Sequence, residues 1–523
     1  MITSKTNTTD YSIFNALNCS FRHLLYTHKA KAIAIVLLFS TFSLVGQTPK
    51  RPFPQADKWT PVGVVIKPNR TTPAPAQTQA QLNADVIAKY TNYKSKFLKK
   101  TAAGRYYIQS GGTGGGVGIT VSEAHGYGML TFALMAGYDP EAKTIFDGMN
   151  TFRKARRSTI NADLMEWTTK LANVDNTGRG DDSATDGDMD CAYALLLAYY
   201  QWGDQAYMDD AKTVIAALRK SCVHASTMRI ALGDWDSKTS STATRSSDWM
   251  MGHFRAFYEV TGDESWLQVL EASYKALSEA SNATTGLVSC FVTGVPAKPD
   301  PISGGTYEDD AEHYSYNACR VPWRLATEYL HYGEPRAKAQ IDKITNWLNG
   351  KTGGNASNMK AGYKLDGTVL SNGNYEDLCF TAPFTAGMIA NSANQAFLND
   401  AYNRTVSATS INPPGNAYEA ALQLLSMLVI SGNWWPPAPQ ESTEIKTVSG
   451  NTSLQIYPNP VTNGIFSVEA QNQTQRIEIC DLAGKLIHTQ QTTGTKTEIN
   501  ISHLPDGVYI VGIGDVSAKI VKQ

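Results

Sequence analysis

Apolar residues recur at helical spacing from Gln81 to Trp435, and the helices that they predict come in pairs. Each pair is joined by a short turn in which a glycine follows the apolar stripe and an acid or a proline comes next. The glycine suits the left-handed backbone that ends a helix, and the acid or proline suits the first turn of the next helix. These turns recur about 60 to 70 residues apart, at 137–140, 202–204, 261–263, 332–335 and, in degenerate form, 391–394.

Five such hairpins, a helix before Lys100 and a last helix at 417–430 give about twelve helices. Long irregular insertions follow one side of each hairpin. Such insertions fit a closed toroid with one functional face better than an open solenoid, which would show tighter and more regular repeats. We therefore predict a mostly α-helical (α/α)6 barrel over residues 79–435.

The pattern changes after Trp435. Residues 436–452 are rich in Pro, Ser and Thr and are predicted to be a linker. From 453 to 523, short stretches alternate apolar and polar residues, and Asn-Gly, Ala-Gly and Asp-Gly pairs separate them. This pattern predicts a small all-β sandwich.

The N-terminal region carries the features of an export signal. Two basic residues, Lys29 and Lys31, precede an apolar run, 32–45, which ends at Gly46. We predict a signal peptide with a long leader over residues 1–46. A membrane anchor is the alternative, although the run is short for a span. The stretch 47–78, rich in Pro, Gln and Thr, is predicted to be a flexible lead-in.

Composition narrows the classes of function. Lys+Arg total 46 and Asp+Glu 47, so no basic surface argues for nucleic acid. The seven cysteines are scattered, and neither a CxxC nor an HExxH pair occurs, so no metal site is predicted. Most cysteines are expected to be free thiols, with a Cys191–Cys222 bridge as the alternative.

Two clusters of acids lie at predicted helix starts. Glu123 and Tyr127 are four residues apart and share a helix face. Asp186, Asp188 and Asp190 alternate into the start of a very apolar helix, where apolar surroundings raise the pKa of a carboxyl group. Ordinary first-turn acids, favoured by the helix dipole, are the alternative for both clusters. A calcium loop would need a ligand spacing that the second cluster lacks.

A third cluster combines acids, aromatic residues and arginines between 307 and 324. A solvated charged loop explains its acids but not the aromatic residues and arginines beside them. Inverting hydrolysis of a glycoside needs an acid and a base carboxylate roughly 6.5–9.5 Å apart. Acids from separate hairpins that meet at one mouth of a barrel can supply that gap. Trp167, Trp235 and Trp249 could stack on sugar rings, although core packing is the commoner role of tryptophan.

These motifs resemble glycoside hydrolase family 8 from about Gln81 to Trp435. The most specific piece is Ala-Thr-Asp-Gly-Asp at 184–188, followed by Ala192 and the segment 196–198. Further matches, in the order of the family, lie at 122–129, 232–235, 245–249 and 316–320. The resemblance implies an (α/α)6 barrel and an inverting mechanism without a cofactor or metal.

The resemblance also implies roles for individual residues. Glu123 is the general acid, and Asp186 holds the distorted sugar at the cleavage point. Tyr316 and Arg320 support the water side. The residues expected to bind substrate are Tyr127, Trp167, Trp235, Arg245, Asp248, Tyr316, Asn317 and Arg320.

Asn317 departs from the family pattern, because many members carry their general base, an Asp, at this position. An amide cannot usefully accept a proton from water. In a subset of the family with Asn here, the base comes from a Glu in the preceding loop. Glu308 is the expected base, with Asp309 and Glu312 as alternatives.

The resemblance implies a β-1,4-linked polysaccharide as substrate, of the β-glucan or cellulose type or chitosan. The subset with Asn is associated with chitosan and β-glucan, whereas other members cut cellulose or xylan. Cys290, which replaces a commoner acid, leaves this choice open. A xylanase of the same family, endo- or exo-acting, is one alternative. An inactive carbohydrate-binding protein that has lost its base at Asn317 is another.

The C-terminal segment is similar to the sorting domains of the Bacteroidetes type IX secretion pathway. The likeness rests on Tyr-Pro-Asn-Pro at 457–460 and on the segments 481–485, 504–509 and 519–522. It implies passage through the periplasm and then export to the cell surface or medium. The expected partners are the polysaccharide and the secretion machinery, and the protein is expected to be a monomer.

Overall fold

A computed structural model of the chain forms two compact units, Met1–Pro439 and Gln440–Gln523. The predicted signal segment, 1–46, lies outside the described residues. No helix in the part of the chain that is described is long and apolar enough to cross a bilayer. The described residues are 48–59, 66–68, 78–111, 118–236, 239–301, 311–407, 416–439, 454–469, 476–480, 486–492, 496–513 and 516–523.

The described residues of the first unit form twelve α-helices: five consecutive hairpins, and a first and a last helix that pack together as the sixth pair. They are α1 (Gln79–Phe97), α2 (Ser122–Leu134), α3 (Ala142–Ala155), α4 (Thr185–Trp202), α5 (Gln205–Ser221), α6 (Met251–Thr261), α7 (Ser265–Ala280), α8 (Val321–Tyr332), α9 (Pro335–Thr352), α10 (Leu378–Met388), α11 (Gln395–Ser407) and α12 (Ala417–Ile430).

Alternate helices form two concentric layers. The even-numbered helices α2 to α12 each contact the next, and α12 contacts α2, so this inner ring is closed. The odd-numbered helices pack outside it. Helices α2, α4 and α10 bury nearly all their residues because neighbours surround them, whereas α3, α5 and α7 bury one face. The predicted (α/α)6 barrel is confirmed.

The turn chemistry expected from the sequence closes the hairpins. Gly203, Gly262 and Gly333 end α4, α6 and α8 in the left-handed region, with φ of 74°, 69° and 65°. The carboxylates of Asp204 and Glu334 then accept hydrogen bonds from the first turns of α5 and α9. Each inner helix therefore passes to an outer helix within a few residues.

Nine short strands lie in the described loops of this unit. The pairing of β3 with β5 holds the segment around Trp167 against the start of α2, and β7 pairs with β8 beside α6. The strands are β1 (Leu98–Lys100), β2 (Tyr106–Ile108), β3 (Thr120–Val121), β4 (Arg156–Arg157), β5 (Thr168–Thr169), β6 (Gly178–Arg179), β7 (Thr244–Arg245), β8 (Phe291–Thr293) and β9 (Lys298–Pro299).

Residues 48–59, within the stretch predicted to be a flexible lead-in, pack against the barrel. The Arg51 guanidinium lies 4.5 Å from the ring centroid of Trp435, and its backbone N–H donates to Gln201 Oε1 at 2.7 Å. Gln55 N–H donates to Asn433 Oδ1 at 2.8 Å. Composition alone gave no sign of these contacts, because they join residues more than 140 positions apart in sequence.

The second unit contains two antiparallel sheets, ordered β10-β11-β14 and β13-β12-β15-β16. Buried residues of both sheets, among them Phe466 and Ile479, share one apolar cluster, as expected for a sandwich. Its strands are β10 (Gln455–Tyr457), β11 (Ile465–Glu469), β12 (Arg476–Cys480), β13 (Leu486–Gln491), β14 (Lys496–Asn500), β15 (Gly507–Ile513) and β16 (Val516–Lys522).

The described cysteines are free thiols, as expected. Cys191 and Cys222 are both buried and free, so the alternative of a bridge between them is not realised. Burial raises the pKa of the Cys222 thiol and keeps it protonated.

Glycines allow α2 and α4 to approach closely. A Cβ placed on Gly187 would lie 2.4 Å from Ser122 Oγ, and one on Gly126 would lie 2.8 Å from Asp190 Cβ. Any side chain here would push the two helices apart. This crossing matters for function because α2 carries Glu123 and α4 carries Asp186.

We expect Gly187→Ala to destabilise the barrel by about 1–3 kcal/mol, the usual cost of overpacking. Thermal and denaturant unfolding would measure the loss. Gly350→Ala is the matched control, since a Cβ there meets nothing within 4 Å. In α9 it should stabilise by about 0.4–1 kcal/mol. Equal effects of the two changes would contradict the close approach.

Candidate active site

The first turns of three inner helices meet at one end of the barrel. Glu123 and Asp186 are the second residues of α2 and α4, and Arg320 directly precedes α8. The Arg320 guanidinium donates to Glu123 Oε1 and, at 3.1 Å, to Asp186 Oδ2. Helix N-termini favour negative charge, so this end of the ring suits a group of carboxylates.

Glu123 is the accessible member of this group. Its side chain is 20% exposed, against 4% for Asp186 and 2% for Arg320. The Tyr127 hydroxyl donates to Glu123 Oε1 at 2.8 Å and fixes its orientation. Burial raises the pKa of Glu123 against the opposing charge of Arg320, and the nearby Asp186 adds to the rise. A carboxyl group of this kind is suited to donate a proton.

The pKa of Asp186 is shifted in the opposite direction to that of Glu123. Asp186 accepts from Arg320, and Arg245 Nη2 lies 3.5 Å from its other oxygen. Burial disfavours its charge, but the two guanidinium groups hold the pKa of Asp186 below its usual value. Two neighbouring carboxyl groups with pKa values shifted in opposite directions can therefore take different roles.

Asp248 holds Arg245, the second guanidinium that contacts Asp186, in place. It is fully buried, and its Oδ2 accepts from Arg245 Nε at 3.1 Å. Burial raises the pKa of Asp248 to about 6. The predicted substrate residues Tyr127, Asp248 and Arg320 are all buried, and their polar groups contact other side chains of the protein.

A cavity of about 400 Å³ opens beside the carboxylates. Three predicted substrate residues, Trp167, Trp235 and Arg245, line it together with Phe291 and Asp300. Trp235 is 46% exposed, so its ring is available for stacking. Arg245 lines the cavity and also lies 3.5 Å from Asp186, so this side chain connects the cavity wall to the carboxylates.

Trp249 has a different environment from the other two tryptophans. It is only 2% exposed, and its Nε1 donates to Thr244 Oγ1 at 3.1 Å. The expectation that it could stack on sugar is therefore wrong, because its ring belongs to the core.

Asp234 fixes the loop that carries Trp235, a role that the sequence did not reveal. Its carboxylate accepts from Ser158 Oγ at 2.5 Å, from Asn161 N–H at 3.0 Å and from Ser183 N–H at 2.9 Å. The last bond ties the tryptophan loop to the entry of α4. The sequence showed that Asp234 belongs to the family motif at 232–235, but it did not show that Asp234 holds this loop.

Asn317 and Tyr316 lie on the other side of Arg320. Asn317 Oδ1 accepts from Arg320 Nη2 at 2.6 Å. The Tyr316 hydroxyl contacts Tyr375 Oη at 2.6 Å and Asp377 Oδ2 at 2.8 Å. The sequence reasoning missed both of these partners.

Tyr418 completes this side of the site. Its hydroxyl donates to the Tyr316 carbonyl at 2.6 Å. Asp377 immediately precedes α10, and Tyr418 is the second residue of α12. Polar side chains at the start of an apolar inner helix are the feature that also marks Glu123 and Asp186. Applied to every inner helix, that signal would have found these residues.

Glu308 and Asp309, the first two candidates for the base, lie outside the described residues. Glu312 is described and exposed, with its carboxylate 3.8 Å from Nε2 of His313. The separation between the base and Glu123 therefore stays a prediction.

The family model for glycosyl hydrolases family 8 matches residues 71–432. The chain belongs to glycosyl hydrolases family 8. It is thus a glycoside hydrolase, as the residues of the site indicate.

The family 8 enzyme is similar to several characterised relatives. A β-glucanase of Niallia circulans is 40% identical over 77% of this chain and 95% of the relative. An endoglucanase of Bacillus sp. strain KSM-330 is 38% identical over 82% and 90%. The apo structure of a β-1,3-1,4-glucanase from Paenibacillus sp. X4 is 40% identical, with a TM-score of 0.67 over 74% of this chain and all of that one.

The fold extends to more distant structures. Rex8A from Paenibacillus barcinonensis, solved with xylose, is 19% identical, with a TM-score of 0.56 over 70% of this chain and 97% of that chain. This likeness concerns the fold alone.

Residues 455–523 match the secretion system C-terminal sorting domain. The match covers the strands of the second unit and confirms the type IX sorting domain expected from the sequence. The family 8 enzyme is therefore exported, to the cell surface or the medium.

The two other acids of the second cluster are buried in the barrel of the enzyme. Asp190 accepts from both terminal nitrogens of Arg324, at 2.9 and 2.6 Å, and contacts His253 Nε2 at 2.8 Å. Asp188 accepts from Met165 N–H at 2.8 Å. Of the three alternating acids, only Asp186 therefore reaches the site. Within the described residues, no group of His, Cys, Asp and Glu is arranged to hold a metal ion.

Asp188 should make stability depend on pH. Burial raises its pKa from 3.8 to about 8. Between these values the folded state binds more protons than the unfolded state, so the free energy of unfolding falls as pH rises. Asp188→Asn keeps an acceptor for Met165 and removes the ionisation.

We therefore expect the unfolding midpoint of Asp188→Asn, relative to the wild type, to be higher at pH 8 than at pH 5. Differential scanning calorimetry at both pH values would measure it. Asp163→Asn, at an exposed acid, is the control and should show no such change. A difference between Asp188→Asn and the wild type that is independent of pH would contradict the expectation.

Proposed function

We propose that the enzyme is a secreted, inverting endo-glycosidase that hydrolyses a β-1,4-linked polysaccharide of the β-glucan type. The observation that carries the proposal is the state of Glu123, a partly exposed carboxyl group with a raised pKa, oriented by Tyr127. Glu123 shares the Arg320 guanidinium with Asp186, and Asp186 is connected through Arg245 to the wall of the aromatic cavity. We expect the enzyme to act as a monomer.

The proposed chemistry uses two carboxyl groups. Glu123 donates its proton to the glycosidic oxygen as the bond from this oxygen to the anomeric carbon breaks. A water molecule attacks that carbon from the opposite face and gives up a proton to the base, for which we propose Glu308. The anomeric configuration is inverted. Asp186, ionised between two guanidinium groups, stabilises the positive charge that develops on the sugar.

The glucan part of the proposal draws on the relatives. The two curated relatives are a β-glucanase and an endoglucanase, and the structure at 40% identity is a β-1,3-1,4-glucanase. The rings of Trp167 and Trp235 supply flat apolar surface for the faces of glucose units.

Chitosan is the second candidate. The cavity that holds the tryptophans is also lined by the carboxylates of Asp236 and Asp300. Negative charge in a partly buried wall favours the ammonium group that chitosan carries on each sugar.

Glu123→Gln should lower kcat on a natural glucan by roughly 10²- to 10⁴-fold, the usual contribution of a general acid. A 2,4-dinitrophenyl glycoside has a leaving group that needs no proton, so the variant should recover most of its rate there. Glu308→Gln should lose activity on both substrates, because water still requires a base. Reducing-sugar and dinitrophenolate release would measure the rates.

These variants also separate the enzyme from an inactive binding protein. If the protein is an enzyme with Glu308 as its base, Glu308→Gln should bind oligosaccharide as the wild type does but should not cleave it. An inactive wild type that still binds would favour the binding protein. Full activity of Glu308→Gln would move the base to Asp309 or Glu312.

The choice of substrate can be tested with lichenan, carboxymethyl cellulose, chitosan and xylan. We expect the highest kcat/KM on a β-glucan. If chitosan is also cleaved, Asp300→Asn should reduce kcat/KM on chitosan roughly 10-fold and leave lichenan unchanged, because only chitosan is cationic. The highest activity on xylan would contradict the proposed substrate class.

A further inference from the structure

The hydroxyl of Tyr316 has two polar neighbours and one proton. Asp377 Oδ2 lies 2.8 Å away and Tyr375 Oη 2.6 Å away. A carboxylate can only accept, so Tyr316 donates its proton to Asp377. The Tyr375 hydroxyl must then donate to the Tyr316 oxygen. Asp377 thereby sets the direction of the whole chain of hydrogen bonds.

Among the described residues, this direction leaves the Tyr316 oxygen with one acceptor position that no side chain fills. A phenolic oxygen can accept as well as donate, and one of its acceptor positions is taken by Tyr375. Tyr316 is only partly buried, so a solvent molecule can reach it. A water bound there would donate one O–H to the Tyr316 oxygen and keep a lone pair available to attack carbon.

Asp377 is itself held rigidly. Its second carboxylate oxygen accepts from the Cys379 N–H at 2.8 Å and caps α10. The Tyr316 ring packs edge-on against Phe380 of the same helix, with centroids 5.1 Å apart. One helix start therefore fixes both the ring of Tyr316 and the partner of its hydroxyl.

The pair formed by Tyr316 and Asp377 is connected to the general acid, Glu123, through Asn317 and Arg320. Tyr316 precedes Asn317, whose side-chain oxygen accepts from Arg320, and Arg320 in turn donates to Glu123. The Tyr418 hydroxyl holds the carbonyl of Tyr316. The hydroxyl of Tyr316 is thus carried on a segment with a fixed relation to the general acid.

We propose that Asp377 is a positioning residue, which acts through Tyr316 to orient the water that attacks the anomeric carbon. The inference rests on the proposed function and adds a residue to it. Burial, together with the bonds to Tyr375 and Asp377, raises the pKa of Tyr316. The phenol therefore stays protonated and orients the water, while the water's proton goes to the separate base.

The test is a double-mutant cycle on the full-length enzyme. Asp377→Asn can keep the cap on α10 through its carbonyl, but its amide donates to Tyr316 and reverses the hydrogen bond. We expect kcat on lichenan to fall roughly 10- to 100-fold, the cost of a misplaced reactant, with KM changed less than about 2-fold. Tyr316→Phe should lose a similar factor. The double variant should be no slower than Tyr316→Phe, because both changes remove one effect.

Glu376→Gln is the matched control. This neighbouring acid pairs with Arg404 and not with Tyr316, so kcat should stay at the wild-type value. Should Asp377→Asn fail to fold in circular dichroism, Asp377→Ser takes its place in the cycle. A serine can still cap α10 but has no second oxygen to accept from Tyr316, so it should slow the wild type but not Tyr316→Phe.

The proposal is overturned by wild-type kcat in Asp377→Asn or Tyr316→Phe, or by losses that multiply in the double variant. Failure of the proposed function looks different. It would appear as absent hydrolysis in the wild type, or as full activity of Glu123→Gln on a natural glucan. With those two controls as expected, an unaffected Asp377→Asn counts against the positioning role alone.

Discussion

The site depends on one buried guanidinium shared between two carboxylates. Arg320 joins Glu123 to Asp186, and Arg245 joins Asp186 to Asp248. Acids and arginines therefore alternate in a row of five side chains, Glu123, Arg320, Asp186, Arg245 and Asp248. Three acids and two arginines leave one excess negative charge, and an uncompensated buried charge is costly. A single proton removes it. Asp186, between two arginines, is the acid least able to take that proton. The pKa values of the acids at the two ends, Glu123 and Asp248, are the ones raised. Only Glu123 is exposed enough to pass its proton to a substrate.

The closed ring of inner helices makes this row possible. Inner helices alternate with outer ones, so their starts converge at one end, and residues far apart in sequence become neighbours there. Arg320 reaches Glu123 across 197 positions of sequence. Helices α2 and α4 can approach closely because Gly126 and Gly187 carry no side chain where the helices cross. Packing of α2 against α4 thus brings the first turns that carry Glu123 and Asp186 close together.

The sequence predicted the parts that are encoded locally. Glycine turns such as Gly203 mark where a helix ends, and their spacing gave the number of helices and the barrel. Glu123 and Asp186 stood out because each lies at the start of a very apolar helix, where burial makes an ionised carboxylate costly. Contacts between distant segments could not be predicted in this way. Asp377 lies 61 positions from Tyr316, and no local pattern joins them. The base assigned to Glu308 remains a prediction from the resemblance.

Asn317 limits the negative charge that surrounds Arg320, because its amide oxygen accepts from the guanidinium without carrying a charge. An aspartate there would place a further carboxylate on Arg320, which already serves Glu123 and Asp186. The guanidinium would then offset less of the negative charge of Glu123 and of Asp186. The row of acids and arginines would also hold a second excess negative charge. With an amide at 317, Arg320 keeps a neutral partner, and one proton suffices to balance the buried set. Inverting hydrolysis requires a base that is ionised while the general acid is protonated, and Glu308 is our proposal for that base.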